Sequence, residues 1–247
     1  QDLTWLKEQK SNKVKIEGWA SKLSMPDWLW ENLLEQYGEQ SAINIAKSLL
    51  YPANLNLRVN LLKEKNILKV VDELIISFPD LKDKIVKTNI SPICISLPRG
   101  TSIQRDNLFL DGKIEVQDEG SQILSFLVNP KRGSMVADFC AGAGGKTLAL
   151  SAMMKNTGRL YAFDISGNRL ANLKKRLKRS GASNIVPHKI MHENDTKIKR
   201  LREKFDRVLV DAPCTGLGTL RRNPDLKWKH SLESLQQLNL KQKLIIN

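Results

Sequence analysis

The sequence predicts an α/β protein with a doubly wound, mostly parallel sheet, preceded by a smaller helical and mixed region. From about residue 117 onward, short apolar segments alternate with amphipathic ones, which is typical of parallel βαβ units. Three of the predicted strands end in an aspartate, namely Asp138, Asp164 and Asp211. Since ligands of such sheets bind beyond the carboxyl ends of the strands, these aspartates indicate a binding site there.

The first half of the chain predicts short helices and strands without a repeat. Leu29, Leu33 and Tyr37 recur at helical spacing, and a second helix ends before Pro52 because the residue before proline disfavours helical angles. The other elements predicted are that second helix over 43–50, a helix over 67–78, strands over 56–60 and 93–95, and a hairpin over 108–116. Trp5, Trp19, Trp28 and Trp30 are interpreted as packing anchors rather than a base-stacking platform.

The second half predicts the parallel sheet itself. A helix over 121–128 leads into a strand at 135–137, a glycine-rich turn and a helix over 146–155. A helix from Ser166 carries Leu170, Leu173 and Leu177 on one face, which predicts that this face packs on the sheet. The remaining predicted elements are strands over 159–163, 184–189 and 208–210, and a helix starting near Ser231.

The glycine-rich turn, Asp138–Thr147, is compatible with more than one nucleotide ligand. A P-loop needs a glycine where Cys140 stands, and the dinucleotide fingerprint wants a third glycine where Thr147 stands. The turn nevertheless lets the backbone approach a ligand closely, and Asp164 follows at the distance expected of a ribose-binding acid. A nucleoside that carries an amino acid, such as S-adenosylmethionine, satisfies this pattern as well as a pyrophosphate does.

Cys214 directly follows Pro213 just after the fourth predicted strand, and Gly216 and Gly218 come next in the same loop. A thiolate that adds to C6 of cytosine makes C5 nucleophilic enough to take a methyl group, and a base must then remove the C5 proton. Methyltransferases that act on exocyclic amines place an aromatic residue here instead. The alternative is that Cys214 is a buried small apolar residue.

Charge and composition point to a polyanionic partner. The formal net charge is +14, which favours nucleic acid. No apolar run is long enough to span a bilayer, and the first residues lack a secretory layout. Three scattered cysteines predict a reducing, cytoplasmic location, and the three histidines lack partners at metal-ligand spacing. Arg221, Arg222 and Lys227 follow the Cys214 loop directly and are the predicted RNA contacts.

Five separated motifs, in order along the chain, resemble the RNA cytosine-5 methyltransferases of the RsmB (Sun/Fmu) type. They cover roughly residues 25–247 and are Leu57–Lys63, Val116–Ser121, Asp138–Thr147, Asp211–Gly216 and Arg221–Trp228. The resemblance implies a Rossmann-like methyltransferase domain over 116–247, incomplete at its carboxyl end, after an RNA-binding region over 1–115. It also implies 5-methylcytosine formation in single-stranded or looped RNA, with ribosomal RNA as the expected substrate and no metal.

The resemblance also implies the cofactor and its binding residues. S-adenosylmethionine is expected in a site lined by Cys140, Ala141, Gly142, Ala143, Gly144, Gly145 and Lys146. Asp164 would hold the ribose, Asp195 would lie near the adenine, and Asp211 would face the methionine end and the target base.

The implied catalytic residues are Cys214, Asp211 and Lys146. The family uses two thiols: the one that matches Cys214 releases the product, and the attacking one lies in a later Thr-Cys-Ser-like motif. Because the sequence stops before such a motif, we expect this polypeptide alone not to catalyse the transfer. The alternatives left open are a transfer RNA or messenger RNA methyltransferase of the same family, and a non-catalytic RNA-binding protein on the same scaffold.

Overall fold

The computed structural model describes residues 18–246. Trp5 and the rest of the first seventeen residues of the predicted RNA-binding region lie outside the described residues. The contacts divide the chain into two compact units: residues up to Ala53 with Cys214–Asn239, and Asn54–Pro213 with the residues from Leu240. The boundary predicted between residues 115 and 116 falls inside a strand of the second unit, Ile114–Val116, and it stays a prediction.

The first unit is helical. Its core contains Leu29, Trp30, Ile43 and Leu220, so Trp30 is the packing anchor that the sequence predicts. Trp19 is exposed instead, with the ammonium groups of two lysines near its ring. The helices that begin in this unit are α1 (Trp19–Lys22), α2 (Asp27–Leu49), which is interrupted at Gly38, α9 (Leu226–Lys229) and α10 (Leu232–Ile246), with a 3₁₀ turn at Leu217–Thr219.

The second unit begins with a four-stranded antiparallel sheet in the order β2-β3-β1-β4. Alternate apolar residues such as Leu57, Ile95 and Ile114 form a core with Val70 and Leu74 of a covering helix. The elements are β1 (Leu55–Val59), α3 (Ile67–Ser77), a 3₁₀ helix (Pro79–Lys84), β2 (Val86–Lys87), β3 (Cys94–Leu97), α4 (Asn107–Leu110) and β4 (Ile114–Val116).

The hairpin predicted over 108–116 is wrong. The Asp106 carboxylate accepts a hydrogen bond from the Leu108 amide and starts the helical turn α4, which is the usual role of aspartate at a helix N-terminus. The residues after the turn pair with β1 rather than with the segment before it, as in the pair Leu57 and Val116.

The rest of the second unit is the parallel α/β sheet, in the order β7-β6-β5-β8. Its three strand pairs are all parallel. Leu170 and Leu173 are buried and Leu177 is partly buried, as the sequence predicts. The elements are α5 (Glu119–Val128), β5 (Met135–Phe139), α6 (Gly145–Met153), β6 (Arg159–Asp164), α7 (Gly167–Ser180), β7 (Ile185–Lys189), α8 (Thr196–Lys199) and β8 (Arg207–Val210).

The strand order places a crevice at the carboxyl ends of the central strands. The chain leaves β5 for β6 and β7 on one side and returns to add β8 on the other side of β5. Such a reversal of strand order is where ligands bind in open α/β sheets. Asp138, Asp164 and Asp211 lie at or just beyond the ends of β5, β6 and β8.

Candidate functional site

The turn after β5 is held open by residues with left-handed backbone conformations. Cys140, Gly142 and Gly144 have φ of 68°, 58° and 83°, a region that favours glycine. A Cβ on Gly144 would lie 2.2 Å from Leu173 Cδ1, whereas a Cβ on Gly142 would meet nothing within 4 Å. Gly144 is therefore needed for packing against α7, and Gly142 leaves space for a ligand.

This turn is one wall of a cavity of about 300 Å³ within the second unit. The lining residues combine glycine-turn backbone with charged side chains from other elements. They are Gln117, Ser121, Asp138, Cys140, Ala141, Gly142, Ala143, Gly145, Lys146, Arg169, Asp211 and Pro213. A neighbouring pocket of about 70 Å³ shares Cys140, Arg169 and Pro213 and adds Asp164 and Ile190.

The structure brings together most of the residues predicted to bind the cofactor. Cys140, Ala141, Gly142, Ala143, Gly145, Lys146 and Asp211 line the larger cavity, and Asp164 lines the smaller pocket. Gly144 belongs to the same turn but packs against Leu173. Asp195 lines neither space: its carboxylate accepts hydrogen bonds from the amides of Met191 and Lys197 and caps α8.

Asp138 is a buried carboxylate with one unused oxygen. Its Oδ2 accepts a 2.6 Å hydrogen bond from Thr147 Oγ1, while Oδ1 is buried with no hydrogen-bond partner among the described residues. Burial, with the nearby carboxylates of Asp211 and Asp164, raises the pKa of Asp138 to about 7. An unpaired buried acceptor is costly, and a cationic donor in the cavity would satisfy it.

Asp164 ties the glycine turn to the end of β6. Its Oδ2 accepts from the Gly142 amide at 2.8 Å and its Oδ1 from the Ser166 amide at 2.7 Å. Each carboxylate oxygen can accept more than one hydrogen bond. The side chain is thus fixed in position and still able to accept from the hydroxyl groups of a ligand.

Lys146 and Asp211 form an ion pair on the cavity wall. Lys146 Nζ lies 2.6 Å from Asp211 Oδ2, and the Asp211 side chain is 46% exposed. The pair joins the first turn of α6 to the end of β8. The pair therefore gives the cavity wall both a hydrogen-bond donor, the Lys146 ammonium group, and an acceptor, the Asp211 carboxylate.

The three cysteines lie in different environments. Cys214 is exposed and directly follows Pro213, which lines both the cavity and the pocket. Cys94 is buried. Burial, with the carboxylates of Asp164, Asp138 and Asp211, raises the pKa of Cys140 to about 11, so its thiol stays protonated at neutral pH and is a poor nucleophile.

The predicted RNA contacts have distinct surroundings in the first unit. Arg221 donates from its guanidinium to the carbonyl oxygens of Tyr51 and Pro52. Lys227 is buried, which lowers the pKa of its ammonium group, and Arg222 is half-buried. Their contact with RNA stays a prediction.

Sequence reasoning gave no role to five residues that line the cavity: Gln117, Ser121, Asp138, Arg169 and Pro213. Asp138 had a signal, because it stands at a strand end. Gln117 had a weaker one, because it lies in the motif Val116–Ser121. Nothing in the sequence distinguishes Arg169 from any other basic residue on the solvent side of α7.

Within residues 18–246, no group of three or more histidine, cysteine, aspartate or glutamate side chains is placed to hold a metal ion. No helix in that range is both long enough and apolar enough to cross a membrane.

Comparison with known proteins gives a matching family. Residues 125–247 match the family model described as 16S rRNA methyltransferase RsmB/F. The chain is 31% identical over 209 residues to a probable ribosomal RNA small subunit methyltransferase B of Bacillus subtilis, covering 85% of this chain and 45% of that protein. It is 27% identical over 232 residues to a 28S rRNA (cytosine-C(5))-methyltransferase of Mus musculus, covering 92% of this chain and 28% of that protein.

Among solved structures, the crystal structure of PH0851 superimposes with a TM-score of 0.85 at 31% sequence identity. The match covers 92% of this chain and 50% of that one. The chain thus spans about half the length of the curated relatives it matches.

Proposed function

The chain belongs to the RsmB/F family of 16S rRNA methyltransferases, and we propose that it serves the S-adenosylmethionine-dependent methylation of cytosine C5 in RNA, with ribosomal RNA as substrate. The observation that carries this proposal is the cavity in which the glycine turn, the unpaired Asp138 oxygen and the Lys146–Asp211 pair meet. The proposed cellular location is the cytoplasm, in keeping with three free thiols.

The residues of the cavity fit the proposed cofactor. Asp138 Oδ1 is a buried acceptor without a hydrogen-bond partner in the described part of the chain, which suits the ammonium group of an amino acid. Asp164, fixed by two backbone amides, suits the hydroxyl groups of a ribose. The apolar residues Phe139, Ile165 and Ile190 of the smaller pocket suit a purine ring.

The proposed chemistry divides between the cofactor and the protein. When bound, S-adenosylmethionine supplies a methyl group on a positively charged sulfur. In the proposed reaction, an enzyme thiolate adds to C6 of cytosine, C5 takes the methyl group, and a base removes the C5 proton as the sulfur–C6 bond breaks. Asp211, oriented by Lys146, is proposed to face the base, and Cys214 to act in the release.

The proposed substrate is RNA whose target base is unpaired. A base must leave its stack to reach a thiol in a crevice, so single-stranded or looped RNA is the expected form. The net charge of +14 favours binding to the phosphate backbone. Arg221, Arg222 and Lys227 are the proposed contacts.

Calorimetric titration with S-adenosylhomocysteine tests the cofactor site in this 247-residue chain. We expect saturable binding of this ligand and none of NAD⁺, which the sequence motif fits less well. Binding of NAD⁺ alone would contradict the cofactor assignment, and binding of neither ligand would favour the non-catalytic scaffold.

Bisulfite sequencing of RNA from cells that lack the gene tests the reaction and its substrate. We expect one or more 5-methylcytosines of ribosomal RNA to disappear and to return when the gene is restored. Loss confined to transfer RNA or messenger RNA would redirect the proposal to those substrates. Unchanged 5-methylcytosine in all three would contradict it.

A further inference from the structure

A buried polar pair connects the antiparallel sheet to the cavity within the second unit. Arg58 of β1 is 1% exposed and Gln117, just after β4, is 7% exposed. Arg58 Nε donates a 2.6 Å hydrogen bond to Gln117 Oε1. The Gln117 backbone is also fixed, because its amide donates to the Asn56 carbonyl and its carbonyl accepts from Gln122 Nε2.

The hydrogen bond from Arg58 determines how the Gln117 amide group is oriented. Since Oε1 is the atom that accepts from Arg58, the Nε2 donor points away from the guanidinium. Nε2 is buried without a hydrogen-bond partner among residues 18–246. It lies beside the glycine turn, 3.8 Å from the place a Cβ on Gly145 would take, and Gln117 lines the cavity.

A buried arginine at position 58 is unfavourable for the stability of the folded chain. Burial lowers the pKa of Arg58 to about 10, so the guanidinium is still charged at neutral pH. The nearby carboxylate of Glu115 is engaged by Arg176 and Arg179 at 2.8 and 2.7 Å, and Arg58 Nη1 is buried without a partner among the described residues. An apolar side chain of similar volume is often as stable as a buried ionic group or more so. The need for a correctly oriented Gln117 amide explains the arginine.

Two residues that line the cavity therefore each carry a buried polar atom without a hydrogen-bond partner among residues 18–246, one a donor and one an acceptor. The donor is Gln117 Nε2 and the acceptor is Asp138 Oδ1. The donor lies at the first residue of α6 (Gly145–Met153), where the helix dipole also favours negative charge. A ligand group that carries both an anionic and a cationic part suits this combination, and the α-carboxylate and α-ammonium of an amino acid are such a group.

We propose that Gln117 binds the carboxylate at the amino-acid end of the cofactor and that Arg58 is the positioning residue for Gln117. The proposal rests on the proposed function for the identity of the cofactor. It makes the antiparallel sheet a contributor to cofactor binding, in addition to the RNA contact predicted for that part of the chain.

The test compares two ligands that differ in the amino-acid end. S-adenosylhomocysteine carries it, and 5′-deoxy-5′-methylthioadenosine lacks it. Gln117→Glu keeps an oxygen that accepts from Arg58, replaces the Nε2 donor by a second oxygen, and adds a negative charge that repels a carboxylate. We expect calorimetry on the 247-residue chain to show S-adenosylhomocysteine affinity about ten- to hundredfold lower in this variant, as for the loss of a hydrogen bond to a charged group. Affinity for methylthioadenosine should change less than about twofold, since that ligand does not reach Gln117.

Two further variants separate positioning from structure. Arg58→Met should weaken S-adenosylhomocysteine binding about three- to tenfold while the chain stays folded. Loss of the buried charge favours stability, and the unpaired Gln117 Oε1 acceptor opposes it. Asn60→Leu is the matched control. The buried Asn60 amide also links distant segments, by 2.8 Å hydrogen bonds to the Gly112 carbonyl and to the Ser180 carbonyl at the end of α7, but Asn60 does not line the cavity. It should lower the melting temperature and leave the ratio of the two affinities unchanged.

The outcomes distinguish this proposal from the proposed function. Wild-type affinity for S-adenosylhomocysteine in Gln117→Glu, or an equal loss for both ligands, would overturn the role of Gln117. If Arg58→Met folds and the ratio of its affinities for S-adenosylhomocysteine and methylthioadenosine equals that of the wild type, the role of Arg58 is overturned. Failure of the wild-type chain to bind either ligand would instead overturn the cofactor assignment itself, and this proposal with it.

Discussion

The turn after β5 and the loop after β8 follow neighbouring parallel strands but are built differently. The first is fixed from several sides: Asp164 accepts from the Gly142 amide, and Gly144 packs against Leu173. The second begins with the half-exposed Asp211 and the exposed Cys214. We infer that the first is preorganised to hold a small ligand, and that the second is accessible to a large one. The predictions below, from the largest to the smallest expected effect on folding, test that difference.

Gly144→Ala should have the largest effect. The new Cβ would lie 2.2 Å from Leu173 Cδ1 at a backbone φ of 83°, so steric overlap adds to backbone strain. We expect the free energy of unfolding in urea to fall by about 2–4 kcal/mol. Gly142→Ala is the matched control, since its φ is 58° and its Cβ would meet nothing within 4 Å, and it should lose only about 1 kcal/mol. Equal losses would show that the turn is not fixed by packing on α7.

Asp138 should make ligand binding depend on pH. The carboxylate must be ionised to accept from an ammonium group, and its pKa is raised to about 7. S-adenosylhomocysteine affinity should therefore fall by roughly twentyfold between pH 7.5 and 5.5. Affinity for methylthioadenosine, which has no ammonium group, should stay nearly constant over the same range.

Asp138→Asn is the control for this pH dependence. It should bind S-adenosylhomocysteine weakly at every pH. The variant should also lack one pH dependence of the stability of the free chain, which the Asp138 carboxyl group gives to the wild type. Because folding raises the pKa of Asp138 above 3.8, the folded state binds more protons between about pH 4 and 7, and this group makes stability fall as pH rises through that window. If the affinity of Asp138→Asn for S-adenosylhomocysteine depended on pH as it does in the wild type, the titration could not be assigned to Asp138.

Lys146→Met should have a small effect on folding, because its partner Asp211 is half-exposed and such pairs contribute about 1 kcal/mol or less. The same variant should abolish 5-methylcytosine formation in cells, measured by bisulfite sequencing after the variant gene is restored. Arg202→Met is the matched control, since Arg202 pairs with Glu203 at a fully exposed position, and methylation should be retained.

Cys214→Ala should have the smallest effect on folding, within about 0.5 kcal/mol, because the thiol is exposed. Free methylated RNA should nevertheless be lost in cells, because Cys214 is proposed to act in the release, and RNA bound covalently to the protein should accumulate instead. Cys94→Ala gives the opposite pattern as a control: it removes a buried side chain, so it should lower stability and spare the reaction. Retained free methylated RNA in Cys214→Ala would exclude Cys214 from the chemistry.

The sequence predicts the parallel sheet and the position of Asp164 because both depend on local signals, namely apolar segments and the spacing between strand ends. The hairpin over 108–116 failed because the Asp106 cap and the pairing of Ile114 with β1 outweigh the turn signal of Asp111 and Gly112.

The contribution of Arg58 and Gln117 could not be predicted for a different reason. Their side chains are 59 residues apart in sequence and meet only because β1 and β4 pair. The burial of Lys227 is likewise a property of packing, since in the sequence it looks like any other cation of a basic loop. Long-range contacts of this kind have no local signature.

We propose that the cavity beside residues 140–146 holds S-adenosylmethionine by both of its ends. A crystal structure of the chain with S-adenosylhomocysteine tests it most directly. We predict the ammonium group at Asp138, the ribose hydroxyls at Asp164 and the adenine in the pocket lined by Ile165 and Ile190. A ligand bound elsewhere, or bound here with its amino-acid end away from Asp138, would contradict the account.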